Sequence, residues 1–248
     1  MRTPFGRAAL AAMLLVPGVT AGEKDVAATA TLRADEKAAG FRLLFDGRTT
    51  KGWRGFKSDH FPEKGWSAAD GLLSVEAGAN AGDIVTEALY GNFDFRLEYR
   101  LSSGANSGIK YLVDEALAPP GLHGIGFEYQ LIDDERHPDA KAGAAGNRTC
   151  GALYDLIGPR ERTLRAIGEW NEVRLVVQGP HVEHWLNGAK MLEFERASDS
   201  MRALIAVSKY KSIAGFGTPS RGHILIQDHG DAMAFRNIRI RELPAPRP

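Results

Sequence analysis

Apolar and polar residues alternate with period two along most of this chain. Over residues 92–102, Phe93, Phe95, Leu97, Tyr99 and Leu101 fall on one face of a strand, with Asp94, Arg96, Glu98 and Arg100 on the other. Further strands are expected at residues 40–46, 83–86, 107–113, 149–154, 172–178, 181–186, 189–194, 223–228 and 233–242. Asp70-Gly71, between two short apolar runs, predicts a hairpin over residues 66–76, and Gly179-Pro180 and Asn187-Gly188 turn a three-stranded meander. Residues 47–53 read as a turn into a loop and residues 195–222 as one long loop, while helical character is confined to a short piece around residues 32–38. So many short strands with so little helical periodicity mean an all-β sandwich or barrel. There is no internal repeat and no second domain: one domain spans residues 40–243, after a flexible lead-in at 22–39 and before a tail at 244–248.

The most informative stretch is residues 124–141, GIGFEYQLIDDERHPDAK. Ile125, Phe127, Tyr129 and Leu131 suit a core between two sheets, whereas Glu128 and Gln130 share the other face, about 7 Å apart along the strand. The strand runs into a loop carrying Asp133, Asp134, Glu135, Arg136, His137, Asp139 and Lys141. A polar strand face continued by such a loop has the makings of a carbohydrate cleft. The plain alternative is a half-exposed strand with solvated charges. Gln227 and His229 form a second polar pair, on one face of residues 223–229 with Leu225 below them.

Residues 1–21 read as a secretory leader: Arg2 and Arg7, a short apolar core at 8–16, and a small-x-small cleavage site at 19–21. The apolar run is too short to span a bilayer, so the mature protein is expected outside the cytoplasm, in a bacterial periplasm. No cysteine at the cleavage point marks a lipid anchor. With 31 basic and 31 acidic residues, charge favours neither nucleic acid nor an anionic membrane as partner. The single cysteine, Cys150, excludes an internal disulfide and a cysteine metal cluster, and reads as buried and inert.

An ordered set of segments resembles the 3-keto-disaccharide hydrolase domain family of secreted bacterial proteins. It begins with GFRLLFDGRTTKGW from Gly40, AADGLLSVE from Ala68, YGNFDFRLEYRL from Tyr90 and NSGIKY from Asn106. It continues with GFEYQLIDDERHPDAK from Gly126, CGALYDLI from Cys150 and GEWNEVRLVV from Gly168. HWLNG from His184, SKYKSIAGFG from Ser208 and GHILIQDHGDAMAFRNIRIREL from Gly222 complete it. The resemblance implies a concanavalin-like jelly roll of two curved antiparallel sheets, with sugar on the concave face. It also implies a carbohydrate substrate oxidised to a ketone at carbon 3, and hence a functional link to an oxidoreductase that makes such sugars.

A carbon-3 ketone acidifies the carbon-2 proton and lets the carbon-1 substituent leave by elimination, after which added water completes a net hydrolysis. Such a site needs a base at carbon 2, a cation or donor at the carbonyl oxygen, and an acid at the leaving oxygen. His229 is the first choice for base, because imidazole titrates near working pH; the plainer role is a turn histidine. Glu128 is a base, a metal ligand or a hydroxyl acceptor. Lys209 is a candidate for the enolate oxygen, with Lys110 similar; His137 and Tyr154 are candidate proton donors to the leaving group. Gln130, Gln227, Lys110, Tyr154 and Trp66 are the expected sugar contacts. No cofactor is certain; Asp133 and Asp134, with Glu128, are the candidate ligands for a divalent cation such as calcium. Two rivals remain open. One is a non-catalytic sugar-binding module. The other is a laminarinase-type endoglucanase using Glu128 and Asp133, whose carboxyl groups would have to lie about 5–5.5 Å apart.

Overall fold

The computed structural model describes residues 30–119 and 123–246. The predicted leader and the first part of the lead-in lie outside the described residues. The strands, in chain order, are β1 (Arg42–Leu43), β2 (Trp53–Gly55), β3 (Trp66–Ala69), β4 (Leu72–Val75), β5 (Ile84–Thr86) and β6 (Phe93–Leu101). They continue with β7 (Asn106–Val113), β8 (Phe127–Ile132), β9 (Asn171–Gln178), β10 (His181–Leu186), β11 (Ala189–Glu195), β12 (His223–Ile226) and β13 (Met233–Glu242).

They pair into two antiparallel sheets that pack as a concanavalin-like sandwich. The larger runs β11-β10-β9-β6-β13-β4-β3, and β1 adds to β13 beyond the reach of β4. The smaller runs β2-β5-β12-β7-β8. Between them lies the core: the apolar face of β6, Val173, Leu175 and Val177 of β9, and Ile109, Tyr111, Phe127, Tyr129, Ile224 and Ile226 from the smaller sheet. Asp70 and Gly71 both take positive φ (52° and 77°), as do Asn187 and Gly188 (48° and 83°), the geometry that two-residue hairpins require.

Four expectations need correction. Residues 149–154 are turns bonded to the free edge of β8 through a single bridge, Tyr129–Leu153, because Gly151 and Asp155 adopt positive φ and break any ladder. Residues 53–55, expected to end a turn, form the short strand β2 on β5. The loop at 195–222 contains a helix, α2 (Asp199–Val207), opened by Ser198, whose hydroxyl accepts from the Met201 amide, and seated by buried Met201. The described end of the lead-in is docked rather than flexible: the short helix α1 (Ala34–Ala38) carries Glu36, which pairs with Arg239 at 2.6 Å, both buried.

What positions the site is the outward face of the smaller sheet. Every residue of β7, β8 and β12 is buried, so side chains pointing away from the core are covered too. Residues 151–154 pair with the edge of β8, and Lys209, Tyr210 and Ile213 of the chain after α2 face Lys110, Glu128 and Gln227. Among the described residues no helix is long and apolar enough to cross a membrane.

Candidate active site

Lys110 of β7 and Glu128 of β8 are cross-strand partners on that outward face. Both are buried, with Nζ 3.9 Å from Oε2, and Lys110 also donates to the Gly124 carbonyl at 3.1 Å. The Glu128 carboxylate lies over Gly108, where an added Cβ would come within 2.5 Å of Oε1. Glycine at 108 is therefore what leaves room for the acid. Gln227 follows β12, tied by its amide to the Gly108 carbonyl at 3.0 Å. Asp228 fixes the next turn, accepting from the amides of Ala81, Gly82 and Gly230, and this holds His229 at an exposed rim.

Opposite stand Lys209 and Tyr210. The Lys209 ammonium sits 3.9 Å from the centre of the Tyr154 ring and its amide donates to Asp155 at 2.8 Å. Burial pushes the Lys209 pKa down, with Lys110 acting in the same direction and Glu128 opposing it. Burial likewise pushes the Tyr210 phenol well up, so it stays a neutral donor; its hydroxyl is buried without a hydrogen-bond partner among the described residues. Lys110, Glu128, Gln227, His229, Lys209 and Tyr210 enclose one cavity of about 370 Å³, completed by His123, Ile125 and Ile213. That volume is within the range of small-molecule sites.

Five of the expected residues thus converge: Glu128, Lys110, Lys209, Gln227 and His229. Gln130 lies beneath them, donating to Asn106 Oδ1 at 2.9 Å, while Asn106 Nδ2 stands 3.4 Å from His229 Nε2; it supports the rim from below and does not line the cavity. Tyr154 is not a sugar contact or an acid: its hydroxyl donates to Asp139 at 2.7 Å, burial raises its pKa further, and its ring seats Lys209. His137 stands beside His229, ring centroids 5.9 Å apart, outside the cavity lining. Trp66 is core, not a cleft wall: it stacks on Phe235 at 6.3 Å and donates to the Gly82 carbonyl at 2.8 Å.

Asp133 and Asp134 line a different cavity, of about 850 Å³, away from Glu128. Asp133 accepts from the amides of Gly104, Glu135 and Arg136, and Asp134 accepts from the Cys150 amide and pairs with Arg162 at 2.8 Å. Neither is placed to share a cation with Glu128, nor does Asp133 complete a laminarinase-type pair with it. Donors that could meet around one ion are instead His137, His229 and Asp231, whose ligand atoms lie within 4.8 Å of one another. A second such group, His181, Glu183 and Glu193, already has the Lys190 ammonium among its carboxylates, at 3.2 and 2.6 Å. Cys150 is fully buried against the Tyr99 hydroxyl, and burial raises its thiol to about 11.

His123 and Tyr210 were not legible as site residues. Both sit in irregular chain where no periodicity assigns a face, although Tyr210 lies inside a segment that carries the family resemblance.

Over residues 40–241 the chain matches the 3-keto-alpha-glucoside-1,2-lyase-like domain. A 3-keto-disaccharide hydrolase of Bacteroides thetaiotaomicron is 32% identical over 238 residues, covering 86% of this chain and 82% of its own. A crystal structure described as that of a candidate glycosyl hydrolase from Parabacteroides distasonis superimposes with a TM-score of 0.76 at 30% identity, covering 87% of this chain and 99% of that one. A second from the same organism gives 0.62 at 28%, covering 82% and 99%. The chain belongs to the 3-keto-alpha-glucoside-1,2-lyase-like domain family.

Proposed function

We propose that this protein is an exported enzyme that cleaves glycosides carrying a ketone at sugar carbon 3, by removing the carbon-2 proton and eliminating the carbon-1 substituent. The observation that carries the reading is a buried carboxylate, Glu128, with Lys110 opposite it and Lys209 across the same sugar-sized cavity. Glu128 takes the carbon-2 proton, and the C–H electron pair moves into an enolate whose oxygen is met by the lysine ammonium groups and the Tyr210 hydroxyl. The pair returns to form the carbon–carbon double bond as the carbon-1–oxygen bond breaks. Water then adds at carbon 1, carbon 2 recovers a proton from Glu128, and the sum is hydrolysis.

Glu128 takes the base role in place of His229 because it lies buried on the cavity floor opposite Lys110, whereas His229 stands exposed at the rim. His229, exposed at the rim, contacts sugar hydroxyls with Gln227. The reading also supposes an oxidoreductase upstream, since an ordinary glycoside lacks the acidic carbon-2 proton.

The test is turnover of a 4-nitrophenyl 3-keto-glucoside in D₂O. Deuterium is expected at carbon 2 of the product, and Glu128→Gln should lower kcat by ~10²-fold or more while leaving the fold intact. Steady cleavage of the unoxidised parent glycoside, or sugar binding with neither turnover nor exchange, would refute the proposal.

A further inference from the structure

A second cleft, of about 340 Å³, adjoins the cavity just described and is lined in part by Phe56, Ser58, His60, Pro62, Asp83 and His123. Its size is close to that of the first, about 370 Å³, and His123 lines both. The two are packed directly together at the next residue: a Cβ on Gly124, in the wall of the first, would lie 3.2 Å from the Phe56 ring of the second. A substrate with one ring in each space must therefore pass its linking oxygen beside the His123 imidazole.

That imidazole is held by a buried acid. Asp83 is 4% exposed; its Oδ1 accepts from the Asp228 amide at 3.1 Å, and its Oδ2, without a hydrogen bond among the described residues, lies at ion-pair distance, 3.4 Å, from His123 Nδ1. Nδ1–H thus faces Asp83, which leaves Nε2 for a ligand, since only one ring nitrogen is spent on the carboxylate. The side chain is 62% exposed, so solvent can restore its proton between turnovers.

We propose that the second cleft is the subsite for the departing sugar of a 3-keto-disaccharide, and that His123, positioned by Asp83, is the acid that protonates the leaving oxygen. The assignment rests on the elimination reading above. As the carbon-1–oxygen bond breaks, its electron pair goes to the oxygen and the Nε2 proton moves onto it, so the second sugar leaves as a neutral alcohol. When water adds at carbon 1, the neutral imidazole takes one of its protons and is ready again. Phe56 offers the departing ring an apolar face. The Asp83 carboxylate beside it also raises the His123 pKa, which favours the protonated form the step consumes.

Leaving-group dependence tests this. A sugar alkoxide cannot depart without a proton, whereas 4-nitrophenolate can. His123→Asn should lower kcat/KM on a 3-keto-disaccharide by ~10²-fold or more and lower that on the 4-nitrophenyl 3-keto-glucoside far less. Asp83→Asn, which keeps the shape and the Oδ1 acceptor, should show the same split to a smaller degree, as a merely structural role would not. Equal losses on both substrates, or no loss on either, would overturn the assignment. His123 is exposed, so folding does not confound its variant. Failure of the wild type to cleave the nitrophenyl substrate would instead sink the elimination reading, and this assignment with it.

Discussion

Gly108→Ala tests the placement of Glu128 without touching it. Gly108 is not in the left-handed region, so alanine meets no backbone obstacle. The new methyl would lie 2.5 Å from Glu128 Oε1 and 3.1 Å from both Cγ and Cδ. Relaxing to ordinary carbon contact, near 3.5–4.0 Å, requires the carboxylate to shift by ~1 Å. A displacement of ~1 Å in a catalytic group costs on the order of 10²-fold in rate, equivalent to ~2.7 kcal/mol of barrier. Fold stability should change far less, because alanine in place of glycine also restricts the unfolded chain, by ~0.4–1 kcal/mol. The assay is kcat on the 4-nitrophenyl 3-keto-glucoside alongside the thermal midpoint. On a Glu128→Gln background the same substitution should cost almost nothing more, since the two changes disable one group. A folded Gly108→Ala protein with wild-type kcat would refute the claim that this carboxylate must sit where it does.

Three further outcomes are expected. Exhaustive chelation should leave turnover unchanged if, as proposed, lysines supply the cation at the ketone oxygen, and His137 Nδ1 and Asp231 Oδ2 already accept the amides of Asp139 and Asn106; a loss that divalent ions restore would reverse this. His184 is wholly buried, accepts from the Tyr111 hydroxyl at 2.9 Å, and has its pKa pushed by burial from 6.5 down to about 3. The unfolded chain therefore binds the extra proton between those values, so stability falls as pH drops through that window, by up to ~1.4 kcal/mol per pH unit; urea midpoints between pH 6.5 and 4.5 should slope less in His184→Gln. Asp94→Asn should destabilise by about 3 kcal/mol, read by urea denaturation, because it strips a buried carboxylate from Arg96, Arg174 and Arg241; a change under ~1 kcal/mol would show those pairs to be ordinary surface contacts.

The strands were legible wherever one face meets the core and the other meets water, as β6 shows, or where an Asp-Gly or Asn-Gly turn pins the register. The outward pairs Glu128 with Gln130, and Gln227 with His229, followed from the same parity. Burial on that face did not, because what covers it is residues 123–126 and 208–217, irregular chain whose path no period encodes. For that reason no pattern in the sequence points to His123, Tyr154 has the parity of a contact although its hydroxyl is spent on Asp139, and Asp133 has the chemistry of a ligand although it is a turn acceptor. Trp66 failed differently: period two places it on a face, but not on whether that face looks inward.

Two buried carboxylates separate structure from chemistry in this fold. Asp94 lies on the outward face of the larger sheet. Burial would raise its pKa, yet the guanidinium groups of Arg96 and Arg174 outweigh that and hold it below the usual range. Both of its oxygens are occupied by forked bonds, so nothing remains for a substrate. Glu128, on the smaller sheet, is nearly as buried but meets Lys110 only at 3.9 Å, and its carboxylate accepts no hydrogen bond from the described residues. A buried acid left so poorly paired is costly, and natural folds rarely keep one without a use. The neighbours share the trait: the Tyr210 hydroxyl of the first cavity and Asp83 Oδ2 of the second are buried without hydrogen-bond partners among the described residues. Unmet hydrogen-bonding capacity gathered around two adjoining sugar-sized spaces is what a polyhydroxylated substrate would fill, and the saturated cluster at Asp94 shows that this sequence can satisfy a buried acid where only the fold is at stake.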